Sequence, residues 1–309
     1  MIMHKPVLVD EVMKFLDPKK NENFVDCTVG GGGHAKKILE MTKPDGKLLG
    51  LDWDPQAIER AKTRLSSFKK RAILVNSSYT AIKEIAEREK FQPIAGVLLD
   101  LGLSSDQLQA SGRGFSFQTN EILDMRFSPD DTQTQAKDIL NDWPEEKIRE
   151  ILWKNGDEKF ARRIAAGIIE YRKTKKIETT LQLVDIIIHA VPRQKTRIHP
   201  ATQTFQALRI AVNNEFNNIR IGLRDILDIL EPGGKISVIT FHSLEDRIVK
   251  HLFKRESVDC VCEPEMPVCQ CGHKAQIKLI TKKPILPGAE EISENFRSRS
   301  AKLRVAEKI

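Results

Sequence analysis

The feature that most limits the possible folds of this chain is an alternation of two segment types between residues 23 and 101. Four short apolar runs typical of buried strands are separated by segments with helical spacing. Alternation of this kind predicts a parallel sheet covered by helices. The predicted strands lie at residues 24–28, 47–52, 72–78 and 95–101.

The alternation then stops, and helical periodicity continues to about residue 214. A strand pattern resumes at residues 235–241, directly after a Pro-Gly-Gly turn that ends a long helix. Two further apolar runs near the end bring the expected sheet to seven strands. The sequence therefore predicts an α/β protein whose sheet domain is built from residues 1–107 and 215–309, with an all-helical domain inserted at 108–214.

Composition narrows the class of protein. The 309 residues carry a net charge of +7 and are 40% hydrophobic, which describes a globular chain. No apolar run approaches the roughly 18 residues that a membrane span needs, and the first residues lack the pattern of a secretion signal. We therefore expect a cytoplasmic protein without a membrane partner.

Charge is distributed unevenly along the predicted insert. Residues 113–158 have a net charge of −5, whereas residues 159–209 have a net charge of +8. Such a block is either a solvated helical face or a surface that meets phosphates. The basic residues of the second interpretation are Arg162, Arg163, Arg172, Lys173, Lys175, Lys176, Arg193, Lys195 and Arg197, with a further cluster at Arg297, Arg299, Lys302 and Arg304.

Four consecutive glycines, Gly30 to Gly33, lie between the first predicted strand and the first helix. A turn of this composition lets the backbone approach a bound nucleotide. The turn also satisfies the G-x-G-x-x-A pattern of dinucleotide-binding proteins, although a lone match is a weak signal. Asp52 ends the second strand, where a carboxylate can accept hydrogen bonds from a ribose.

Two carboxylates near the turn, Asp26 and Asp52, favour a cofactor that carries positive charge. S-adenosylmethionine does so on its sulfonium and amino groups, whereas a pyrophosphate is negative. The third and fourth strands end near Tyr79 and Asp100, and Gln107 follows closely. These residues are expected at the same edge of the sheet.

Several long motifs of the chain resemble one known family. They are HKPVLVDEV, DCTVGGGGHA, LLDLGLSSDQL, RGFSF, LDMRF, HPATQTFQALRIAVNNE, PGGKISVITFHSLEDRIVK and FRSRSAKLR, and they span nearly the whole chain. They are similar to motifs of the bacterial 16S ribosomal RNA cytosine-N(4) methyltransferases.

This resemblance implies transfer of a methyl group from S-adenosylmethionine to the exocyclic N(4) amine of a specific cytidine in the decoding region of 16S rRNA, with the small ribosomal subunit as the expected partner. It also implies a Rossmann-like class I methyltransferase sheet interrupted by a helical substrate-recognition domain. The family's cofactor positions fall on Gly32, Gly33, His34, Asp52, Tyr79, Asp100 and Gln107. The chain departs from the family at Tyr79, where Phe is frequent, and at Asn120 and Glu121, where Asp-Gly is frequent.

Catalysis requires acceptors close to the donor methyl, because the lone pair of a cytosine amine is delocalised into its ring. The catalytic candidates are Asp100, Ser104, Ser105, Asp124 and His242. Asp100 is expected to orient the cofactor, the serines to contact the base, and Asp124 to accept an amine proton. His242 is either a base or a capped turn residue.

The RGFSF and LDMRF motifs offer two further interpretations. Arg113 and Arg126 would meet phosphates, and Phe115 or Phe117 would stack on an extruded base. Alternatively, both aromatic side chains belong to a core between the two domains.

The cysteines form one isolated position, Cys27, and one cluster, Cys260, Cys262, Cys269 and Cys271. Paired C-x-C spacing is compatible with a structural zinc site and also with a reduced, exposed loop, so no metal is assigned. The sequence leaves the oligomeric state open. Two other function classes also remain open: an NAD-dependent oxidoreductase on a Rossmann fold, and a non-catalytic RNA-binding assembly factor.

Overall fold

The computed structural model describes residues 6–104, 107–108, 111–129, 134–192, 199–263, 266 and 268–309. Seven strands lie within these ranges: β1 (Phe24–Asp26), β2 (Leu48–Asp52), β3 (Ala72–Asn76), β4 (Gly96–Asp100), β5 (Lys235–Thr240), β6 (Ile277–Leu279) and β7 (Lys302–Lys308). The α-helices are α1 (Val9–Leu16), α2 (Gly33–Met41), α3 (Pro55–Leu65), α4 (Ile82–Arg88), α5 (Ala136–Asp142), α6 (Glu145–Gly156), α7 (Ala161–Arg172), α8 (Thr180–Ala190), α9 (Ala201–Asn213), α10 (Glu215–Ile229), α11 (Ser243–Glu256) and α12 (Ala289–Glu294). Short 3-10 helices cover Ser66–Arg71, Tyr79–Ala81 and Phe296–Ser300.

The strands form one sheet in the order β3-β2-β1-β4-β5-β7-β6. The first five are parallel, and β7 is antiparallel to both of its neighbours. The chain runs outward from β1 to β3 and then returns to place β4 on the other side of β1. In sheets of this kind, ligands bind outside the carboxyl ends of the strands, at the point where the strand order reverses.

The parallel strands are buried because both faces of the sheet are covered. Every residue of β1 is buried, as are the first four residues of β2 and β4. Strands covered on both faces read as continuous apolar runs, which explains the sequence pattern that predicted them. Apolar side chains form one core cluster with Val97 and Val238 and a second with Leu98 and Ile239, alternating residues that point to opposite faces. The predicted α/β class and the seven-stranded sheet are confirmed.

The chain divides into two compact units. The first comprises residues 1–102 and 216–309 and contains the sheet, and the second comprises residues 103–215. The predicted boundaries had placed the insert at 108–214. Helices α5 to α9 belong to the second unit, which has a separate apolar core. None of the described helices is both long enough and apolar enough to cross a membrane.

Candidate functional site

The glycine turn joins β1 to α2 in the first unit. Gly32 precedes the helix with a φ of +78°, in the left-handed region that favours glycine. A Cβ at Gly33 would lie 2.8 Å from Cγ of Pro6, so this position has no room for a side chain. The Gly30 N–H donates to Oδ2 of Asp52 over 2.9 Å, which ties the turn to the end of β2.

Asp52 uses both carboxylate oxygens to hold backbone. Its second oxygen, Oδ1, accepts the Asp54 N–H at 2.9 Å. Burial raises the pKa of Asp52 to about 6, although these two backbone hydrogen bonds oppose the shift. Because each carboxylate oxygen has two lone pairs, Asp52 keeps acceptor capacity for ribose hydroxyls.

Asp26 and Asp100 end the neighbouring strands β1 and β4, at the point where the strand order reverses. Thr28 lies between them: its N–H donates to Asp26 at 3.2 Å, and its hydroxyl oxygen accepts the Asp100 N–H at 2.6 Å. Asp26 is only 1% exposed. Burial, followed by the negative charge of Asp52, raises the pKa of Asp26 to about 7 against the opposing Thr28 hydrogen bond.

Asp100 is the most strongly perturbed of these carboxyl groups. Burial and the negative charges of Asp26 and Glu245 raise the pKa of Asp100 well above its usual range. Its Oδ1 atom is buried and has no hydrogen-bond partner among the described residues. A buried acceptor of this kind normally has a partner, which makes Asp100 a candidate for binding a donor or cation.

His34 faces Asp100 from the start of α2. Its Nε2 atom lies 2.9 Å from the Val7 carbonyl oxygen. Because a carbonyl can only accept, Nε2 carries a proton, and in the neutral ring Nδ1 is then the acceptor. Nδ1 lies 3.8 Å from Oδ2 of Asp100, so the attraction between the two groups depends on a proton carried by one of them.

Tyr79 follows β3 and begins a 3-10 helix. Its ring packs against Gly222 of α10, where a Cβ would lie 2.5 Å from Cδ2 of the ring. Glycine at position 222 is therefore required by the aromatic side chain. Gly222 was not identified from sequence, because a single helical glycine gives no signal of its own.

His242 caps α11. Its Nδ1 accepts the Glu245 N–H at 3.4 Å, and the Glu245 side chain accepts the His242 N–H in return at 3.3 Å. Its Nε2 lies 3.0 Å from Oε1 of Glu245, a distance that gives charge attraction when the ring is protonated, although the geometry is not that of a hydrogen bond. The helix cap is a structural role that the sequence did not predict, and the proposed role of His242 as a base stays a prediction.

Glu245 is the residue of this region that the sequence reasoning missed. It is 1% exposed, and its carboxylate also accepts the Phe241 N–H at 2.8 Å. The available signal was the acidic residue three positions after a capping residue, the spacing of a capping box. Thr28, by contrast, gave no signal beyond its position after a strand.

The remaining predicted site residues belong to the second unit or lie outside the described residues. Ser104 and Gln107 bond to each other: the Ser104 N–H donates to Oε1 of Gln107 at 3.0 Å, and the Gln107 N–H donates to the Ser104 hydroxyl at 3.2 Å. These bonds organise the local turn. Ser105 lies outside the described residues, so its predicted base contact stays a prediction.

Asp124 is held by Arg126. The guanidinium donates from Nε to Oδ1 at 2.7 Å and from Nη2 to Oδ2 at 2.9 Å. Although burial alone would raise the pKa of Asp124, the hydrogen bonds and charge of Arg126 lower it. A carboxylate fixed in this way is a weak base, so the geometry disfavours Asp124 as acceptor of an amine proton.

The neighbouring motif residues are also engaged inside the second unit. Arg113 donates to the carbonyl oxygens of Arg126 and Phe127 at 3.1 and 2.8 Å. Phe115 is 6% exposed and stacks on Phe127, with centroids 5.8 Å apart. Phe117 stacks on His199, with centroids 4.7 Å apart. Both predicted aromatic residues therefore pack within the second unit, and both arginines form hydrogen bonds there; stacking on a base and contact with phosphates stay predictions.

Some residues of the predicted basic clusters form hydrogen bonds within the fold, and others are exposed. Arg172 donates to the carbonyl oxygens of Leu140 and Trp143 at 2.9 and 2.7 Å, and Arg304 is buried against Asp246. These two guanidinium groups stabilise the fold, and their predicted phosphate contacts stay predictions. Lys175 and Lys176 are exposed. The positions Arg193, Lys195 and Arg197 lie outside the described residues.

Comparison with known proteins agrees with this geometry. A profile of the MraW methylase family matches residues 1–309. Three similar proteins share the name "Ribosomal RNA small subunit methyltransferase H". The protein from Caldicellulosiruptor bescii is 47% identical and each chain is fully covered; that from Clostridioides difficile is 47% identical with 99% of each chain covered. The third, from Thermomicrobium roseum, is 45% identical, with 99% of this chain and 94% of the relative covered. The chain therefore belongs to the MraW methylase family.

Proposed function

We propose that this protein methylates the exocyclic N(4) amine of a cytidine in the decoding region of 16S rRNA, with S-adenosylmethionine as the methyl donor. The observation that carries the proposal is the group of buried carboxyls Asp26, Asp52 and Asp100 beside the glycine turn. Burial raises the pKa of each carboxyl, so its ionised form is unfavourable until a bound cation or donor stabilises it. The names of the relatives support the rRNA of the small subunit as substrate.

The residues of the first unit fit this cofactor. The unpartnered Oδ1 of Asp100 and the buried carboxyl of Asp26 offer negative charge to an ammonium or sulfonium group. Asp52 offers acceptors to ribose and holds the glycine turn through the Gly30 N–H, and Gly32 and Gly33 stay proposed cofactor contacts. When bound, S-adenosylmethionine supplies a methyl group activated by the sulfonium charge. A pyrophosphate would instead place negative charge among these carboxyls.

Asp100 is the residue proposed to accept the proton of the cytosine amine. A cytosine amine becomes acidic only as its nitrogen forms a new bond, so a nearby acceptor must take a proton at that stage. A raised pKa makes Asp100 more basic than an ordinary carboxylate, and a cation bound nearby favours its ionised form. The unpartnered Oδ1 is the atom that would accept the proton. Ser104 and Gln107 stay proposed contacts of the base and the cofactor.

The second unit is proposed to bind the RNA through its exposed basic residues. The described members of that set that are exposed are Arg162, Arg163, Lys173, Lys175 and Lys176, of which Lys173 is paired with Glu170. Phosphate contacts of this type position RNA without reading its sequence. We propose that the reaction takes place in the cytoplasm, on the small ribosomal subunit.

The direct test is transfer of a labelled methyl group to small ribosomal subunits from a strain that lacks the modification, followed by nucleoside analysis. We expect label in N(4)-methylcytidine at one position. Label in another nucleoside would refute the proposed target atom, and no transfer to either subunits or free 16S rRNA would refute the methyltransferase activity.

Two variants separate catalysis from folding in the same assay. Asp100→Asn keeps the size of the side chain but removes its basicity, so we expect kcat at saturating donor to fall by about 10²- to 10⁴-fold. His242→Asn keeps a good helix cap and should leave kcat within a few fold. The opposite ranking would assign the base to His242.

A further inference from the structure

Four cysteine side chains of the first unit converge in the connection between α11 and β6. Their sulfur atoms all lie within 4.8 Å of one another. Sγ of Cys269 lies 3.4 Å from that of Cys260, 4.0 Å from that of Cys262 and 3.6 Å from that of Cys271. Cys260 and Cys271 are 3.8 Å apart. None of these distances is that of a disulfide, whose S–S bond is about 2.05 Å.

The separations match a single tetrahedral ion. Zinc bound by thiolates has Zn–S bonds of about 2.3 Å, which places ligand sulfurs about 3.8 Å apart in a regular tetrahedron. Four sulfurs enclosed this closely leave room for one ion. An iron–sulfur cluster would separate the cysteines further, because several irons and sulfides stand between them.

Backbone N–H groups also point at the sulfurs. The N–H of Val261 lies 3.4 Å from Sγ of Cys271, and that of Gln270 lies 3.4 Å from Sγ of Cys262. The N–H of Cys262 lies 3.5 Å from Sγ of Cys260. Donors of this kind stabilise negatively charged sulfur and orient metal ligands. The arrangement therefore suits thiolates more than four neutral thiols.

The connection has little else to hold it. Its described apolar side chains Val258, Val261, Met266 and Val268 are each more than a third exposed, so they contribute little to a core. Such a segment normally requires a disulfide or a metal to fix its conformation.

Hydrogen bonds join the two ends of the connection at its base. The Gln276 N–H donates to the Glu256 carbonyl oxygen at 2.8 Å, and Nε2 of His273 lies 2.9 Å from the Arg255 carbonyl oxygen. These contacts join the end of α11 to the start of β6 and leave the cysteines beyond them. A cross-link at the cysteines would therefore stabilise the part of the connection beyond this base.

We propose that Cys260, Cys262, Cys269 and Cys271 bind one zinc ion that stabilises this connection. The ion would have a structural role, because four protein ligands leave no open position for a substrate. Its location agrees: α11 begins at the carboxyl end of β5 and ends at the opposite edge of the sheet, where Ile277 pairs with Lys308. The glycine turn and its carboxyls lie at the other edge.

The first test is elemental analysis of the full chain, purified under reducing conditions without chelator. We expect about one zinc per chain. We also expect four thiols that react slowly with ordinary thiol reagents, and a mercurial that titrates these thiols should release zinc in proportion to the number titrated. Protein without metal, a protein with disulfides among these cysteines, or one with stoichiometric iron would each overturn the proposal. Methyl transfer is not the readout, so failure of the proposed activity would leave this test intact.

A pair of variants in the same connection tests the ligand set. Cys269→Ser removes one thiolate and should lower the zinc content by several fold. It should also abolish the thiolate-to-metal absorption seen when cobalt(II) replaces zinc. Val268→Ser changes the exposed neighbour, which offers no ligand, and should keep both signals. Equal metal content in the two variants would overturn the assignment, and limited proteolysis should cleave residues 257–275 faster in the cysteine variant alone.

Discussion

At the scale of single residues, the candidate site is a group of carboxyls held in an unfavourable state. Asp26, Asp52 and Asp100 end three adjacent parallel strands, and burial is the largest cause of the raised pKa of each. Buried carboxyls with raised pKa values are common at functional sites, because a bound ligand can replace the favourable interactions with water that burial removed. The stability of the empty protein should therefore improve when one of them is neutralised.

Asp26→Asn should make the cofactor-free protein more stable while impairing its activity. The pKa of Asp26 is about 7 in the folded protein and about 4 in an unfolded chain, so the folded state binds the extra proton between these pH values. The carboxyl thus lowers the free energy of unfolding progressively as pH rises from 4 to 7. At pH 8 the variant should be more stable by about 2–4 kcal/mol, and the difference should vanish near pH 4.

Thermal or chemical denaturation of the two proteins at several pH values measures this difference. Methyl transfer by the variant should be impaired. A variant that is less stable than the parent at pH 8 would show that the hydrogen bond of the Asp26 carboxylate outweighs the cost of its burial in the cofactor-free protein.

Binding of the methyl donor should depend on pH for the same reason. A cation binds the ionised carboxyls, so the affinity for S-adenosylmethionine should rise by about tenfold between pH 6 and pH 8 as Asp26 and Asp52 lose their protons. S-adenosylhomocysteine has the same amino-acid part but no sulfonium charge, and its affinity should change less. Calorimetric titration of both ligands makes the comparison, and equal slopes would exclude the carboxyls as the sulfonium site.

At the scale of elements, a buried ion pair joins α11 to β7. Arg304 donates from Nε to Oδ1 of Asp246 at 2.6 Å and from Nη2 to Oδ2 at 3.1 Å. Burial alone would raise the pKa of Asp246, but the hydrogen bonds and charges of Arg304 and Lys302 lower it. This pair fixes α11, the helix whose first turn is capped by His242 and Glu245.

Removing one partner of that pair should be costly. Arg304→Met removes both guanidinium hydrogen bonds from the buried Asp246 carboxylate and should destabilise the protein by about 3–5 kcal/mol at neutral pH. Lys302→Met is the matched control, because Lys302 is a third exposed and lies 3.6 Å from the same carboxylate, and it should cost less than about 1 kcal/mol. Denaturation of both variants measures the difference, and equal losses would contradict the buried role of Arg304.

In the second unit, Arg172 stabilises the C-terminal end of α5. Its guanidinium satisfies carbonyl oxygens at the C-terminal end of α5, where a helix leaves its last acceptors unpaired. A charge reversal at Arg172 would therefore test folding and not RNA binding. The exposed lysines that follow α7 are the informative positions.

At the scale of the whole molecule, positive charge is concentrated in one part of the chain. Residues 159–209 carry a net charge of +8, which exceeds the +7 of the complete protein. The described structure assigns some of this charge to the fold and leaves Lys175 and Lys176 exposed. Binding to RNA through such residues releases counterions and weakens as salt rises.

The double variant Lys175→Glu with Lys176→Glu should weaken binding to 16S rRNA and reduce its dependence on salt, because fewer phosphate contacts remain. The affinity for S-adenosylmethionine should stay the same. Lys282→Glu with Lys283→Glu changes the net charge equally at exposed positions of the first unit and serves as control. Equal losses in both variants, measured by filter binding over a range of salt concentrations, would indicate only a general charge effect.

The sequence by itself determined the sheet and the edge at which the site lies. Strand and helix periodicities are local properties, and parallel topology brings the ends of β1, β2 and β4 together once the strands are known. Asp52, Asp100 and the glycine turn were therefore predictable.

Only the tertiary structure decided which charges are free. Arg126 neutralises Asp124, Arg304 is buried against Asp246, and His242 caps a helix, although each had suggested a role in binding or catalysis. The convergence of four sulfurs likewise depends on backbone geometry that C-x-C spacing does not specify. The physical reason is that burial and pairing depend on neighbours distant in sequence, whereas periodicity depends on neighbours nearby.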